Sequence, residues 1–343
     1  MSKKVLLLLG PRSTKKSDHT GGIIVLFEDL LKYCNEEKIL FEVIDTNKLN
    51  YNNKIHAYYS IIINLLNKSK NCAHISLHGT AKDFLFIGPI VILIGKFFSR
   101  ETSLRKFAGS FDKVYIESTY FKKIIYQFTI RRTGLLFVET KHLVKFFNKM
   151  NPNIHWWPNS RRKSNISDFT NLKFEKKYVF ISQIKTSKGI KEIIKASESL
   201  SEEYSIDIYG PIIEPHLEVL INKAKRVNYG GVINPSKVQS TLSKYDVLLL
   251  PTFHEGEGYP GIILEAFSMS KPVITTNWMS IPEIVKDGFN GKLIEPKNSE
   301  QLAKAIKDFS DENYKIYSEN AKKSFAQFNS SSVYSTFFNL IHN

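Results

Sequence analysis

Two carboxylates in this chain stand where their type and spacing could handle a ligand rich in hydroxyls. Glu257 and Glu265 are separated by seven residues in "HEGEGYPGIILEAF", residues 254–267. An ionised carboxylate accepts hydrogen bonds from hydroxyls in pairs. Pro260 suits the first turn of a helix, where its missing N–H costs nothing. A helix therefore begins near Pro260, with Glu257 in the loop before it and Glu265 inside it. The free N–H groups at Gly261 and Ile262 then form an anion site aided by the helix dipole. Gly256, Gly258 and Gly261 let backbone and ligand approach closely. Together these features fit a ligand carrying hydroxyls and phosphates, as a sugar nucleotide does. The plain alternative is a capping Glu257 and a surface Glu265; the crowded glycines and the proline favour the ligand site.

A second loop, "SQIKTSKGIKEII" (182–194), holds Lys185 and Lys188 just before a helix that starts near Gly189. Cations there would neutralise a diphosphate leaving group, each charge-assisted hydrogen bond being worth roughly 1.5–3 kcal/mol. An ordinary lysine-rich turn is the alternative. A third loop places Gly21 and Gly22 at a helix start, which again suits an anion or a closely packed sugar. No GxGxxG dinucleotide fingerprint occurs. No Asp-x-Asp occurs either, so lysines and helix N-termini would have to replace a metal's charge.

These loops need strands to hold them. The first half alternates short apolar runs (5–9, 40–45, 73–77, 103–107, 135–138) with helical patterns over 22–33, 55–68 and 89–98. The rhythm restarts after "WWPNSRRKSN" (156–165), which reads as a linker, with strands at 178–182, 205–210, 227–231, 246–251, 272–276 and 291–294. Continuous apolar strands alternating with helices imply parallel sheets covered on both faces. The chain reads as α/β, with two doubly wound domains: 1–160, 161–311, and C-terminal helices over 312–343 that pack back on the first domain. Ligands of such sheets sit at the carboxyl ends of the strands, here in a cleft between the domains.

The 343 residues carry a net charge of +15, which favours an anionic partner: nucleic acid, a membrane surface or a phosphorylated ligand. Cys34 and Cys72 have no metal or redox spacing, consistent with a reducing, cytoplasmic setting. The longest apolar run, "FLFIGPIVILIGKFF" (84–98), is interrupted by Gly88 and Pro89 and is too short to span a bilayer. It reads as a buried helix, with a membrane-touching helix as the alternative.

With these residues in view, the chain resembles the family-four retaining glycosyltransferases of GT-B fold. "EGEGYPGIILEAF" resembles their Glu-x7-Glu motif, and "ISQIKTSKGI", "DIYGP", "YDVLLLPT" and "KPVITTNWMSIPEIVKDGFNGKLIEP" extend the likeness over the second domain. In the first half "LRKFAGSFD", "VETKHLVKFF" and "WWPNSR" are similar to the bacterial capsule and O-antigen transferases. The resemblance implies that Glu265 holds the donor ribose, Glu257 contacts the donor sugar and Lys188 binds the diphosphate. Gly258, Tyr259, Pro260 and Gly261 would complete the donor corner, and Gly21 and Gly22 would close on it from the first domain. Two departures stand out. The family's arginine five residues before the lysine is Gln183 here, with Lys185 as a weaker replacement. The family's first-domain histidine, expected near 105–109, is also missing; His78 and Arg105 are the candidates in its place, ahead of His19 and His254.

The implied function is metal-independent transfer of a sugar, with retained configuration, from a nucleotide-diphosphate sugar. A UDP-sugar is favoured over a GDP-sugar. The acceptor would be a lipid-diphosphate-linked saccharide, met at the inner face of the bacterial membrane through peripheral contact with anionic lipid. No cofactor is expected beyond the co-substrate. A sugar-nucleotide epimerase on the same fold is the second reading. A basic nucleic-acid-binding protein is the third, and no nucleic-acid motif supports it.

Overall fold

Short strands of three to six residues, alternating with helices, build the first sheet. In the computed structural model, which describes residues 5–14, 21–164 and 173–342, the chain divides into two compact units. The first comprises Met1–Asn159 with Val333–Asn343, the second Ser160–Ser332. The first unit runs β1 (Leu6–Gly10), α1 (Gly22–Glu36), β2 (Phe41–Asp45), α2 (Lys54–Ser69), β3 (His74–Gly79), α3 (Ala81–Phe86) and α4 (Gly88–Phe97). It continues with β4 (Glu101–Lys106), α5 (Phe111–Ile116), α6 (Tyr120–Arg132), β5 (Leu135–Val138), α7 (Lys141–Phe147) and β6 (Ile154–Trp156). The strands form one parallel six-stranded sheet in the order β2-β1-β3-β4-β5-β6.

Both faces of that sheet are covered, as parallel sheets require. On one face Ile61 and Leu65 of α2, Val91 of α4 and Ile130 of α6 pack on Leu7, Ile75 and Leu104. On the other face α1 packs with the last helix of the chain through Phe27, Leu30, Tyr334 and Phe337. The helix expected over 89–98 is α4, whereas the apolar run 84–98, read as one buried helix, is divided between α3 and α4. A capping box between Thr80 and Asp83 starts α3, and the Gly88–Pro89 step starts α4.

The second unit runs β7 (Lys177–Ile181), α8 (Ile190–Ser197), β8 (Ser205–Tyr209), α9 (His216–Lys223), β9 (Val227–Tyr229), α10 (Val238–Leu242) and β10 (Val247–Leu250). Then come α11 (Gly261–Ser268), β11 (Val273–Thr276), β12 (Gly291–Ile294), α12 (Ser299–Lys307) and α13 (Asp311–Phe325), followed by α14 (Ser330–His342), which belongs to the first unit from Val333 onward. Its sheet is also parallel and six-stranded, in the order β12-β11-β10-β7-β8-β9. β10, the run "VLLL", is wholly buried and pairs with β7 and β11 at the sheet's centre. The α/β class and the paired doubly wound sheets are those read from the sequence.

The tail divides differently from the expectation. α13 belongs to the second unit, where it packs on α11, and only Val333 onward joins the first unit. Nor is 156–165 a free linker. Trp157 is buried among Phe137, Tyr334 and Phe337 of the first unit, so its large apolar ring anchors the chain there. Arg161 pairs by backbone with Phe328 and Ser330 in the second unit.

Candidate active site

The loops after β7 and β10 meet because β7 and β10 are neighbours. After β7 the chain makes a 3-10 turn, Thr186–Lys188, and then passes through Gly189 at φ +82° into α8. A side chain at 189 would strike the Pro251 carbonyl, its Cβ falling 2.2 Å from the oxygen. Only glycine accepts both this left-handed backbone and this approach. The consequence is chemical: Lys188 Nζ donates directly to Glu257 Oε1. Thr252 Oγ1 lies 3.1 Å from the same carboxylate oxygen and accepts the His254 N–H at 3.2 Å. The two charged side chains are only 13% and 9% exposed. A pair so enclosed leaves a costly uncompensated charge when either member is removed, about 3–5 kcal/mol.

Glu257 sits in a turn closed by its own N–H on the His254 carbonyl, at 3.1 Å. Pro260 is the N-cap of α11, so Glu265 lies inside the helix, as the spacing predicts. Glu265 Oε1 accepts from Arg161 Nε at 2.7 Å, with each side chain about one-fifth exposed. Arg161 also lies against the first residue of α11: a Cβ built on Gly261 would fall 1.7 Å from Arg161 Nη2. The guanidinium thus rests at the positive end of a helix, where a cation is disfavoured unless an anion joins it. Glu265 supplies that anion. Arg161 falls in the segment read as a linker; nothing in the sequence places it on Glu265, because the pairing comes from the Arg161 backbone docking beside Phe328.

The remaining candidates of this unit divide. Gln183 is exposed, and Lys185 is partly so. Gly258 and Pro260 are buried in the turn. Tyr259 is buried as well; its hydroxyl donates to Glu283 and its ring packs edge-on to Phe328. That side chain holds the turn in place.

Beside the Lys188–Glu257 pair lies a cavity of about 570 Å³ lined by Ser187, Phe253, His254, Glu255, Trp278 and Lys297, with Pro296. Trp278 Nε1 donates to the His254 carbonyl at 2.9 Å, and Lys297 Nζ stands 5.0 Å above the Phe253 ring. Burial, and after it the Lys188 charge, lower the pKa of His254, so its imidazole is neutral at neutral pH. The aromatic walls and the few convergent polar groups are those of a small-ligand site. Trp278 and Lys297 carry no motif signal, since they enter from the ends of β11 and β12.

In the first unit Gly21 is the N-cap of α1 and Gly22 its first residue. A Cβ on either would meet nothing within 4 Å, so no packing within the described protein demands glycine there. His78 and Arg105, the candidates at the ends of β3 and β4, lie inside the core of the first unit. His78 is enclosed by Phe27, Phe107, Trp157 and Phe337, and its Nε2 pairs with Ser76 Oγ at 2.9 Å. Burial, and then the neighbouring Arg105, push its pKa well below the usual value. Arg105 is equally buried, 4.1 Å from the Trp157 ring centroid, with its basicity reduced to about 10 by desolvation. Both pack the core. The residue that ends β4 is Lys106, buried, with its amine brought down to about 8 by desolvation. Nearby Glu139 opposes that shift and accepts the Ala108 N–H at 2.9 Å. His19 lies outside the described residues.

Comparison with known proteins bears on these loops directly. Residues 162–324, which hold every donor-loop candidate of the second unit, match the family described as glycosyl transferases group 1. An uncharacterized glycosyltransferase of Methanocaldococcus jannaschii is 24% identical over 305 residues, covering 84% of this chain and 72% of the relative. A putative colanic acid biosynthesis glycosyltransferase of Salmonella typhimurium is 28% identical over 144 residues, covering 38% of this chain and 35% of the relative. In two further relatives the match spans 47% and 42% of the relative's length. Among solved structures, Anabaena HepE in complex with UDP superposes with a TM-score of 0.76 at 14% identity, over 99% of each chain. That likeness gives the fold, GT-B. The family match and the fold converge: residues 162–324 match the group 1 glycosyl transferases, and the chain has the GT-B fold.

Proposed function

We propose that the chain is a retaining glycosyltransferase that moves a sugar from a nucleotide-diphosphate sugar to a lipid-linked or saccharide acceptor in surface polysaccharide synthesis. The observation that carries the reading is the direct pairing of Lys188 with Glu257 at the ends of adjacent strands, beside a helix that starts at Gly261. In this reading the donor diphosphate takes Lys188 as its cation, and Glu257, released from that pair, meets the donor sugar. The cavity beside His254 receives the sugar. Glu265 holds ribose hydroxyls, and Arg161 moves from Glu265 to phosphate oxygens at the α11 N-terminus. Arg161 then supplies the planar, bidentate cation that Gln183 lacks. Positive charge from Lys188, Arg161 and the helix end stabilises the departing diphosphate, which is the electrostatic task a metal performs in other transferases.

UDP is the favoured nucleotide, which the UDP bound by HepE supports. The colanic acid relative supports a polysaccharide product. The acceptor is a lipid-diphosphate-linked saccharide, reached at an anionic membrane surface.

The test is turnover with a panel of UDP-, GDP- and ADP-sugars. Wild type should release nucleotide from one class, and Glu257→Ala and Lys188→Ala should reduce release at least about 100-fold. Unchanged turnover in both variants would refute the site. Product analysis on donor alone separates an epimerase, which converts the sugar without an acceptor.

A further inference from the structure

The helical layer on one face of the first sheet has an apolar outer surface, where a solvent-facing layer is ordinarily polar. α4 packs against both α2 and α6, so the three lie as neighbours. α2 buries Ala57, Ile61 and Leu65, and its opposite ridge is Ile55, Tyr59 and Ile63. α4 buries Val91 and Ile94 and turns Leu93 and Phe97 outward. α6 buries Tyr126, Thr129 and Ile130 and turns Phe121, Ile124 and Phe128 outward. The spacings place each outer set on one helix face. These side chains are not half-hidden: Ile55, Phe97 and Phe121 are 84%, 79% and 78% exposed.

The charge around the ridges has one sign. Residues 54–132 contain thirteen Lys and Arg against four Asp and Glu. Lys122 and Lys123 stand at one end of α6 and Arg131 and Arg132 at the other. At the edge of this face, where α4 and α6 end beside the starts of β3, β4 and β5, opens a cavity of about 530 Å³ that reaches Leu340 of α14; its charged lining is Lys96, Arg100, Arg132 and a single acid, Glu101, with His74 beside it. Arg100 is held in place by donating to the Ser69 and Lys70 carbonyls, at 3.2 and 2.8 Å.

We propose that this face of the first unit docks on an anionic lipid surface. Large aliphatic and aromatic side chains on helix ridges, flanked by lysine and arginine, match the acyl boundary and the headgroup layer respectively. Apolar ridges of this size call for a covering partner. The charge decides which one. A second copy of the face would set like charge against like, which costs binding, whereas an anionic bilayer complements it. The basic cavity takes a headgroup phosphate. No helix among the described residues is long and apolar enough to cross a membrane, so the contact is peripheral. The inference deepens the acceptor side of the proposed function yet stands on the outer face alone. Vesicle binding without nucleotide binding, or the reverse, therefore refutes only one of the two.

The experiment is flotation of the full chain with vesicles of phosphatidylcholine, alone or mixed with phosphatidylglycerol. Binding to the mixed vesicles should be at least about tenfold tighter and should weaken as salt rises. Phe97→Ser with Phe121→Ser and Ile124→Ser should weaken it at least about tenfold with an unchanged melting temperature, since all three side chains are exposed. Lys122→Gln with Lys123→Gln and Arg132→Gln should abolish the preference for phosphatidylglycerol. As an independent readout, Phe97→Trp should shift its emission to the blue on mixed vesicles. Equal affinity for both vesicle types, or ridge variants that bind as wild type does, would overturn the proposal. So would self-association in sedimentation velocity that the ridge variants abolish without any vesicle binding.

Discussion

The outer helices of the two units follow opposite rules. In the second unit α12 buries Leu302, Ala305 and Ile306 and presents Glu300, Lys304 and Lys307 to solvent, the ordinary pattern of a helix on a sheet. In the first unit α2 and α6 bury one apolar stripe and expose another. The charges differ in the same sense. The second unit encloses opposite charges as pairs, Lys188 with Glu257 and Arg161 with Glu265. Around the first unit's ridges the cations, buried Arg105 and Lys106 apart, lie on the surface and far outnumber the acids. A polar, enclosed corner suits a small charged ligand; an apolar, basic face suits a broad anionic one. The comparison teaches that net charge alone misleads. In the proposed reading, the chain's excess of lysine and arginine serves two different partners.

The comparison breaks most visibly if variants of one region disturb the other. The largest expected effect is on turnover. Glu257→Ala should lose at least about 100-fold in nucleotide release while vesicle binding stays at the wild-type level. Because Lys188 is then left unpaired, this variant should also be destabilised by about 3–5 kcal/mol, and chemical denaturation of the double variant with Lys188→Ala should recover part of that loss.

Next in size is Arg161. Arg161→Ala should raise the donor KM about tenfold or more, the loss of a charge-assisted contact worth roughly 1.5–3 kcal/mol, with a smaller change in kcat. Arg161→Lys should restore little, because an ammonium does not replace a planar fork. Gly261→Ala displaces the same guanidinium and should reproduce the KM effect in steady-state kinetics.

The smallest effect sharpens the view of His78 as a core residue. Its pKa lies well below the usual 6.5 in the folded protein. Below pH 6.5 the unfolded chain therefore binds a proton there that the folded chain refuses. The stability gained by keeping His78 neutral is present above 6.5 and is lost as pH falls, by at most about 1.4 kcal/mol per pH unit. Urea denaturation across pH 5–7 should show that slope, and His78→Gln should flatten it. A slope unchanged in the variant would assign it elsewhere.

Much of the site was legible because it obeys local rules. Pro260 and the glycines around it locate the start of α11, and that start sorts Glu257 into the turn and Glu265 into the helix. Gly189 marks the turn that aims Lys188. The strand rhythm likewise gave both sheets, except that the brief β6 over 154–156 was not read as a strand. What sequence could not supply was distance and depth. Arg161 reaches Glu265 across 104 positions, through a backbone pairing that no motif encodes. His78 and Arg105 sit at strand ends, where a ligand site is expected, yet aromatic rings close over both. The apolar run over 84–98 invited a choice between a buried helix and a membrane-touching one. It folds with Val91 inward and Phe97 outward, and the outward side belongs to the proposed lipid face.

Calorimetric titration of the full chain with UDP reports on the donor corner without an acceptor or a membrane. One UDP should bind per chain, more tightly than GDP, with affinity at least about tenfold weaker in Lys188→Ala and in Arg161→Ala. The ridge variant of Phe97, Phe121 and Ile124 should bind UDP as wild type does. UDP affinity unchanged by the loss of Lys188 and Arg161, or no UDP binding at all, would contradict the placement of the donor in this corner.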